Sequence, residues 1–285
     1  MGLSTRGRDL QPSPRRSKEA NWELFDNQAT AFEQRAGLPT EFCRDIATNV
    51  IEIGKCKPGD LILEIGPGTG QIAEWFQQRV AYIGFDLSSG MLREAQRRLC
   101  HNTENRSLVQ ANANASWPLA SASARVIFSS RALHLLDHEH VAFEVFRVAS
   151  DDGATLILGR VERQLDSVRS RMAKEMIQRL RRHGFEGRRG EHQNQRLVES
   201  CCRRGAEALE LKPVARWNVS TCPRQSLDSW RCLTGLGGIP VPAKIRNEIL
   251  KELETWAVNE FGGLDREVQS EETYVLRPLR IPAAH

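Results

Sequence analysis

The stretch from Leu61 to Gly70, Leu-Ile-Leu-Glu-Ile-Gly-Pro-Gly-Thr-Gly, limits the fold more than any other. A short apolar run bounded by a glycine-rich turn reads as a buried strand. The segment Gln71 to Arg79 behind it has helical spacing, so the unit is expected to be strand, tight loop and helix. Glycine is needed where a backbone takes positive φ or must approach a ligand with no Cβ in the way. Gly66, Gly68 and Gly70 sit at such positions. The next apolar run, Val80 to Asp86, ends on an acid. At the tip of the second strand of a βαβ unit, a carboxylate is placed to accept from both hydroxyls of a ribose.

The kind of nucleotide follows from the details. A dinucleotide loop places its third glycine three residues after the second, to seat a pyrophosphate on the helix end. Gln71 occupies that position here. The pattern is instead Glu-x-Gly-x-Gly-x-Gly, with Glu64 just ahead of the loop. A carboxylate there favours a cation-bearing ligand and repels a pyrophosphate. S-adenosylmethionine, with its ammonium, sulfonium and neutral ribose, fits.

From roughly Leu61 to Val161 the chain resembles the class I S-adenosylmethionine-dependent methyltransferases, in the group that includes the ubiquinone and menaquinone biosynthesis enzymes. The residues that carry the resemblance are Glu64 to Gly70, Gly84-Phe85-Asp86-Leu87-Ser88, Met91-Leu92 and Ser129-Ser130-Arg131-Ala132-Leu133-His134. It implies an α/β, Rossmann-like fold: a seven-stranded, mostly parallel sheet with helices on both faces and a helical cap. It implies cofactor contacts at Glu64, Gly66, Gly68, Gly70, Asp86, Leu87, Met91, Asn112, Ala113 and Ser130. Met91 would lie against the adenine. Asn112 stands where the family usually has an acid, and its amide oxygen can accept the same adenine bond without charge assistance.

Acceptor chemistry is expected at the end of the fourth strand, where open α/β sheets bind ligands. Methyl transfer needs alignment and, for a protonated nucleophile, a base. His134 is the candidate base and Arg131 its neighbour at the acceptor, although a histidine among leucines also reads as packing. Arg35 is a further candidate, for the cofactor carboxylate.

The rest of the composition bounds the partners. With 40% apolar and 27% charged residues the chain is an ordinary globular one. No run approaches the roughly 18 apolar residues of a membrane span, and the charged first residues do not read as a secretory signal, so a cytoplasmic location is expected. Seven scattered cysteines without a Cys-x-x-Cys pair signal neither a disulfide framework nor a metal site. A net charge of +4 permits an anionic partner without requiring one. The expected partner is a small-molecule acceptor, with no nucleic acid and no membrane, for a monomer or homodimer. RNA or protein as acceptor, a non-catalytic S-adenosylmethionine-binding role and a nicotinamide-dependent oxidoreductase are the rival readings.

Along the chain, residues 1–17 read as a disordered basic arm and 18–57 as cap helices, with Phe25, Ala29 and Phe32 on one and Phe42, Cys43, Ile46, Val50 and Ile53 on a second, Thr40 its N-cap. The core is expected over 58–161, a cap insertion over 162–192, the core helix and sixth strand (Val214 to Ser220) over 193–221, cap helices over 222–268 and the last strand (Glu272 to Arg277) within 269–285. A helix is expected from Glu162 to His183, a flexible segment from Gly235 to Pro240, and solvent exposure at His138 and His140.

Overall fold

The protein is described from a computed structural model, which covers residues 38–76, 79–100, 105–133, 136–187, 190–233 and 235–283, with 190–193 as backbone alone. The calls on Phe25, Ala29, Phe32, Arg35, His134 and the N-terminal arm lie outside these residues.

Helix α1 (Thr40–Gly54) turns Cys43, Ile46, Ala47 and Val50 inward. It starts on Pro39 with no side-chain cap, so Thr40 opens the helix and does not cap it. Proline has the fixed φ the entry needs, and Glu41 supplies the favourable acid in the first turn. Strands β1 (Leu61–Ile65) and β2 (Ala81–Asp86) follow. The expected helix between them is only a 3-10 turn, Ala73–Trp75, with Gln71 tied back to α1's entry through the amide and carbonyl of Leu38. That tether leaves the first crossover no full helix, so the glycine loop does not end on a helix N-terminus of the pyrophosphate-binding kind.

Helix α2 (Ser89–Leu99) is capped by Ser88, whose Oγ accepts from Met91 N at 3.1 Å. Strands β3 (Arg106–Gln110) and β4 (Val126–Ser130), helix α3 (His138–Val148) and strand β5 (Ala154–Arg163) complete the parallel part. Asp137 caps α3, which opens at His138. Both histidines in its first turn are half-buried, not exposed, and His140 Nε2 lies 2.8 Å from the Ala115 carbonyl.

Beyond β5 come α4 (Val168–Arg182), α5 (Gly190–Arg203), β6 (Glu207–Ala208), β7 (Lys212–Thr221), α6 (Pro223–Arg231), β8 (Gly235–Leu236), β9 (Ile239–Pro240), α7 (Ala243–Phe261) and β10 (Val268–Ile281). The segment from Gly235 is thus a paired β8–β9 hairpin, turned by Gly237 and Gly238 at positive φ, and not a loose connection. Glu162 and Arg163 belong to β5, because their pairing with Thr273 and Glu272 of β10 holds them extended.

The sheet order is β3-β2-β1-β4-β5-β10-β6, with β7 also on β10. Strands β3, β2, β1, β4 and β5 are parallel; β10 runs antiparallel to β5, and β6 and β7 flank successive parts of β10. The sixth and last strands are accordingly longer than the alternation in the sequence shows. One apolar layer, with α3 and α5, covers one face through Leu63, Ile127, Leu156, Val145 and Leu197. Another, with α1, covers the second face through Ile62, Phe128, Ile157, Ile46 and Val50. Each such side chain contributes roughly 1.5–3 kcal/mol on burial. A third cluster joins α4, α6, α7 and the β8–β9 hairpin through Met172, Leu180, Leu227, Ile249 and Leu253. Trp230, Trp256 and Phe261 pack within it, the last two edge to face at 5.7 Å. Among the described residues no helix is long and apolar enough to cross a membrane.

Pairing with β4 stops at Ser130 opposite Gly159, yet β5 continues to Arg163 on β10 alone. The last residues of β5, with the adjoining parts of β10 and β7, therefore form a three-stranded wall rising past the C-terminal edge of the parallel strands.

Candidate functional site

At that edge the glycine loop has the geometry its residues demand. Gly66, Gly68 and Gly70 take φ of 69, 58 and 78°. A Cβ on Gly66 would meet that of Ala132 at 2.5 Å, and one on Gly70 would press on Ala95 at 3.2 Å, so these two glycines serve close packing. Gly68 differs: nothing stands within 4 Å of its would-be Cβ. Its backbone faces open space, as a ligand-cradling position requires.

Asp86 holds the loop in place. Its Oδ2 accepts from Gly68 N at 3.1 Å and its Oδ1 from Ser88 N at 3.0 Å. Leu87 beside it is exposed, while Met91 and Ala113 are buried on the elements that flank it. Asn112 is exposed, and its Oδ1 already accepts from Asn114 N at 2.9 Å, an Asx turn that fixes the side chain.

Glu64 is fully buried, and Tyr82 donates to its Oε2 at 2.7 Å. Burial pushes its pKa up to about 7, against the Tyr82 hydrogen bond, with Asp86 adding to the rise. Its electrostatic neighbours thus include a second carboxylate, and no arginine or lysine is among the groups that shift it. A buried carboxylate in that setting favours an incoming cation.

The end of β4 is the other half of the site. Ser129 donates to the Ile65 carbonyl at 2.9 Å, which joins β4 to the loop, and Ser130 Oγ lies 2.7 Å from Tyr274 Oη. Arg131 then takes φ of 63°, a left-handed conformation unusual for a residue with a Cβ. Burial lowers its pKa and Arg163 acts as a like charge, while Tyr274, Cys43 and Glu272 act in the opposite sense. Glu272, 5% exposed, receives Arg163 Nε at 2.8 Å and Arg169 Nη1 at 2.7 Å on one oxygen. Burial alone would raise its pKa, but the two guanidinium groups bring it below the usual carboxylate range.

The structure therefore brings Glu64, Gly66, Gly68, Gly70, Asp86, Ser130 and Arg131 to one edge. Sequence reasoning missed Tyr82, Tyr274 and Glu272. The chain has only two tyrosines, and both lie on this face with their rings over glycines, Tyr82 over Gly84 and Tyr274 over Gly159. A tyrosine two residues from a glycine in an apolar strand was a usable signal for the first. The second needed the pairing of β10 with β5, which nothing local specifies.

Comparisons with known proteins agree with this layout. Residues 62–153 match the methyltransferase domain family. A malonyl-[acyl-carrier protein] O-methyltransferase of Serratia marcescens is 27% identical over 143 residues, 49% of this chain and 52% of that protein. The chain thus spans about half the length of the curated relative it matches. Among solved structures, the [4+2]-cyclase SpnF aligns with a TM-score of 0.58 at 15% identity, over 94% of this chain and 97% of the other. A protein of Bacillus halodurans described as a methyltransferase aligns at 0.53 and 18%, over 83% and 98%. A type II methyltransferase of Anaeromyxobacter dehalogenans aligns at 0.54 and 18%, over 84% and 97%. At these identities the structures speak to the fold. The stretch that matches the methyltransferase domain family, residues 62–153, holds the glycine loop and strands β1 to β4, and the solved structures share its Rossmann-like fold.

Proposed function

We propose that the protein transfers a methyl group from S-adenosylmethionine to a small organic acceptor, by in-line displacement in the space between the glycine loop and the β5–β10–β7 wall. The observation that carries this reading is the pairing, among the described residues, of a Gly68 with open space at its Cβ position and a buried Glu64 that no arginine or lysine shifts. The residues fit the cofactor: Gly68 gives it room, Asp86 accepts from the ribose, Glu64 faces the ammonium, and Leu87, Met91 and Ala113 flank the adenine with Asn112 at its amino edge. When bound, the cofactor supplies an electrophilic methyl group on sulfur.

The protein's own contribution is then alignment and exclusion of water. Ser130, held by Tyr274, and Arg131 face the acceptor side of the edge. His134 is the proposed base where the acceptor atom carries a proton. The helical cluster of α4, α6 and α7 serves as the cap, and a capped site suits a small acceptor better than a polymer. The relative's name, a malonyl-[acyl-carrier protein] O-methyltransferase, gives as its acceptor a small acyl group carried on a protein. None of the seven cysteines forms a disulfide, which suits the reducing cytoplasm.

Calorimetric titration with S-adenosylhomocysteine, alongside NAD, tests the cofactor. Micromolar binding of the former and none of the latter is expected. Tighter binding of NAD would restore a hydride-transfer reading and remove this one.

A further inference from the structure

The loop after β3, Asn112 to Leu119, bounds the proposed adenine position, and one side of α3 holds it along its length. Asp137 N donates to Asn114 Oδ1 at 2.7 Å, His140 Nε2 lies 2.8 Å from the Ala115 carbonyl, and Trp117 N donates to Glu144 Oε2 at 2.7 Å. Arg147 completes the row by donating to the carbonyls of Leu119 and Trp117. Asp137, His140, Glu144 and Arg147 stand three or four residues apart, the spacing that shares one side of a helix. Inside the loop, Trp117 Nε1 donates to the Ala113 carbonyl at 3.1 Å and Ala115 N to the Asn112 carbonyl at 2.9 Å. A loop tied at so many points presents its first side chain in a set orientation.

That side chain is Asn112. Its Oδ1 accepts from Asn114 N at 2.9 Å, and a flipped amide would set its NH2 group against the same N–H, donor against donor. The oxygen is therefore engaged by the loop. The amide nitrogen, on the other arm of the same planar group, bonds to none of the described residues, and Asn112 is exposed. The group left for a ligand is a donor. The sequence suggests the reverse, an oxygen that accepts from the amino group of adenine, but the turn has taken that oxygen.

The difference bears on which base fits. A 6-amino purine carries an amino donor beside ring-nitrogen acceptors, and an asparagine with both arms free matches the two together. With its oxygen engaged, Asn112 keeps only the arm that addresses an acceptor, and a 6-oxo purine offers an acceptor as well. We propose that Asn112 is a specificity-determining residue that meets the nucleobase as a hydrogen-bond donor, so that the cofactor site does not select the 6-amino group and takes a hypoxanthine-bearing cofactor about as readily as an adenine-bearing one. The inference rests on the S-adenosylmethionine reading for the place of the base; the polarity of Asn112 is set by the turn.

The test titrates the full chain by calorimetry with S-adenosylhomocysteine and with its deaminated analogue, S-inosylhomocysteine. Wild type should prefer adenine by no more than fivefold, and a larger preference would overturn the proposal. Asn112→Asp keeps the turn through one carboxylate oxygen and presents the other as an acceptor. It should raise the preference for adenine at least fivefold over wild type, because the amino group gains a partner and the 6-oxo group meets a like acceptor. A smaller rise would also overturn the proposal. The added charge acts on both ligands, and a loosened loop would weaken both, so the ratio reads the polarity of the outward group. Should the variant not fold, the wild-type ratio alone decides. Binding of neither ligand to wild type would remove the cofactor reading and this inference with it, whereas binding of both with an unchanged ratio in the variant would remove the inference alone.

Discussion

Two covered carboxylates stand on the same face of the sheet, at the same edge, and their surroundings are opposite. Glu64, between β1 and β2, has a tyrosine hydroxyl and another carboxylate for company, and its pKa rises to about 7. Glu272, on β10, is gripped by Arg163 and Arg169 and has its pKa lowered. Among the described residues, one carboxylate is paired with a hydroxyl beside a second carboxylate and the other with two guanidinium groups.

That contrast can be broken most forcefully at the residue that anchors the cofactor half. Asp86→Ala removes the acceptor of the Gly68 and Ser88 N–H groups together with the proposed ribose bonds. Charge-assisted hydrogen bonds contribute about 1.5–3 kcal/mol each, so calorimetry should show S-adenosylhomocysteine affinity falling by more than roughly tenfold. Unchanged affinity would remove Asp86 from the ribose.

Glu64→Gln sharpens the comparison, because it should move binding and stability in opposite directions. The folded chain holds an extra proton on Glu64 between about 4.5, its ordinary value, and about 7. Stability from this group is therefore present at low pH and falls as pH rises through that window. The glutamine variant escapes the loss, so its melting temperature should exceed the wild type's at pH 8 and converge with it below pH 5. Cofactor affinity should behave inversely. In the wild type it should increase from pH 6 to pH 8, as Glu64 ionises opposite the ammonium, and the variant should show a flat, weaker profile.

Glu272→Gln should do the reverse to stability. A carboxylate with a lowered pKa stabilises the fold above its unfolded value and loses that contribution as pH falls through the folded one. Denaturant titration at pH 7 should show a cost of about 1–2 kcal/mol, discounted because both arginines reach solvent, and the cost should shrink as pH falls below the usual carboxylate range. An equal cost at pH 3 and pH 7 would mean that packing and not charge is lost. The smallest effect is expected for Tyr274→Phe, which deletes one neutral hydrogen bond to Ser130, about 1 kcal/mol by the same titration.

The cofactor half was legible because its information is local. The alternation of glycines from Gly66 to Gly70, the acid at Asp86 and the cap at Ser88 each act within a few residues of themselves, and backbone sterics admit few substitutes. Where the sequence misled, tertiary contacts had overruled local spacing. The run from Gln71 has helical periodicity, yet the tie from Gln71 to Leu38 confines it to a single 3-10 turn. Glu162 and Arg163 continue a helical pattern, yet β10 draws them into β5.

From the sequence by itself come the glycine-loop strand unit and the preference for a cationic nucleotide, since these rest on φ preferences, an apolar run and the sign of one carboxylate, while the mostly parallel core came with the resemblance. Only the tertiary structure decided the far side of the edge. Arg131, Arg163, Arg169, Glu272 and Tyr274 come from four separate elements, and their meeting depends on β10 running back between β5 and β7. Charge pairing across that antiparallel return is a long-range property, and no window of sequence contains both partners.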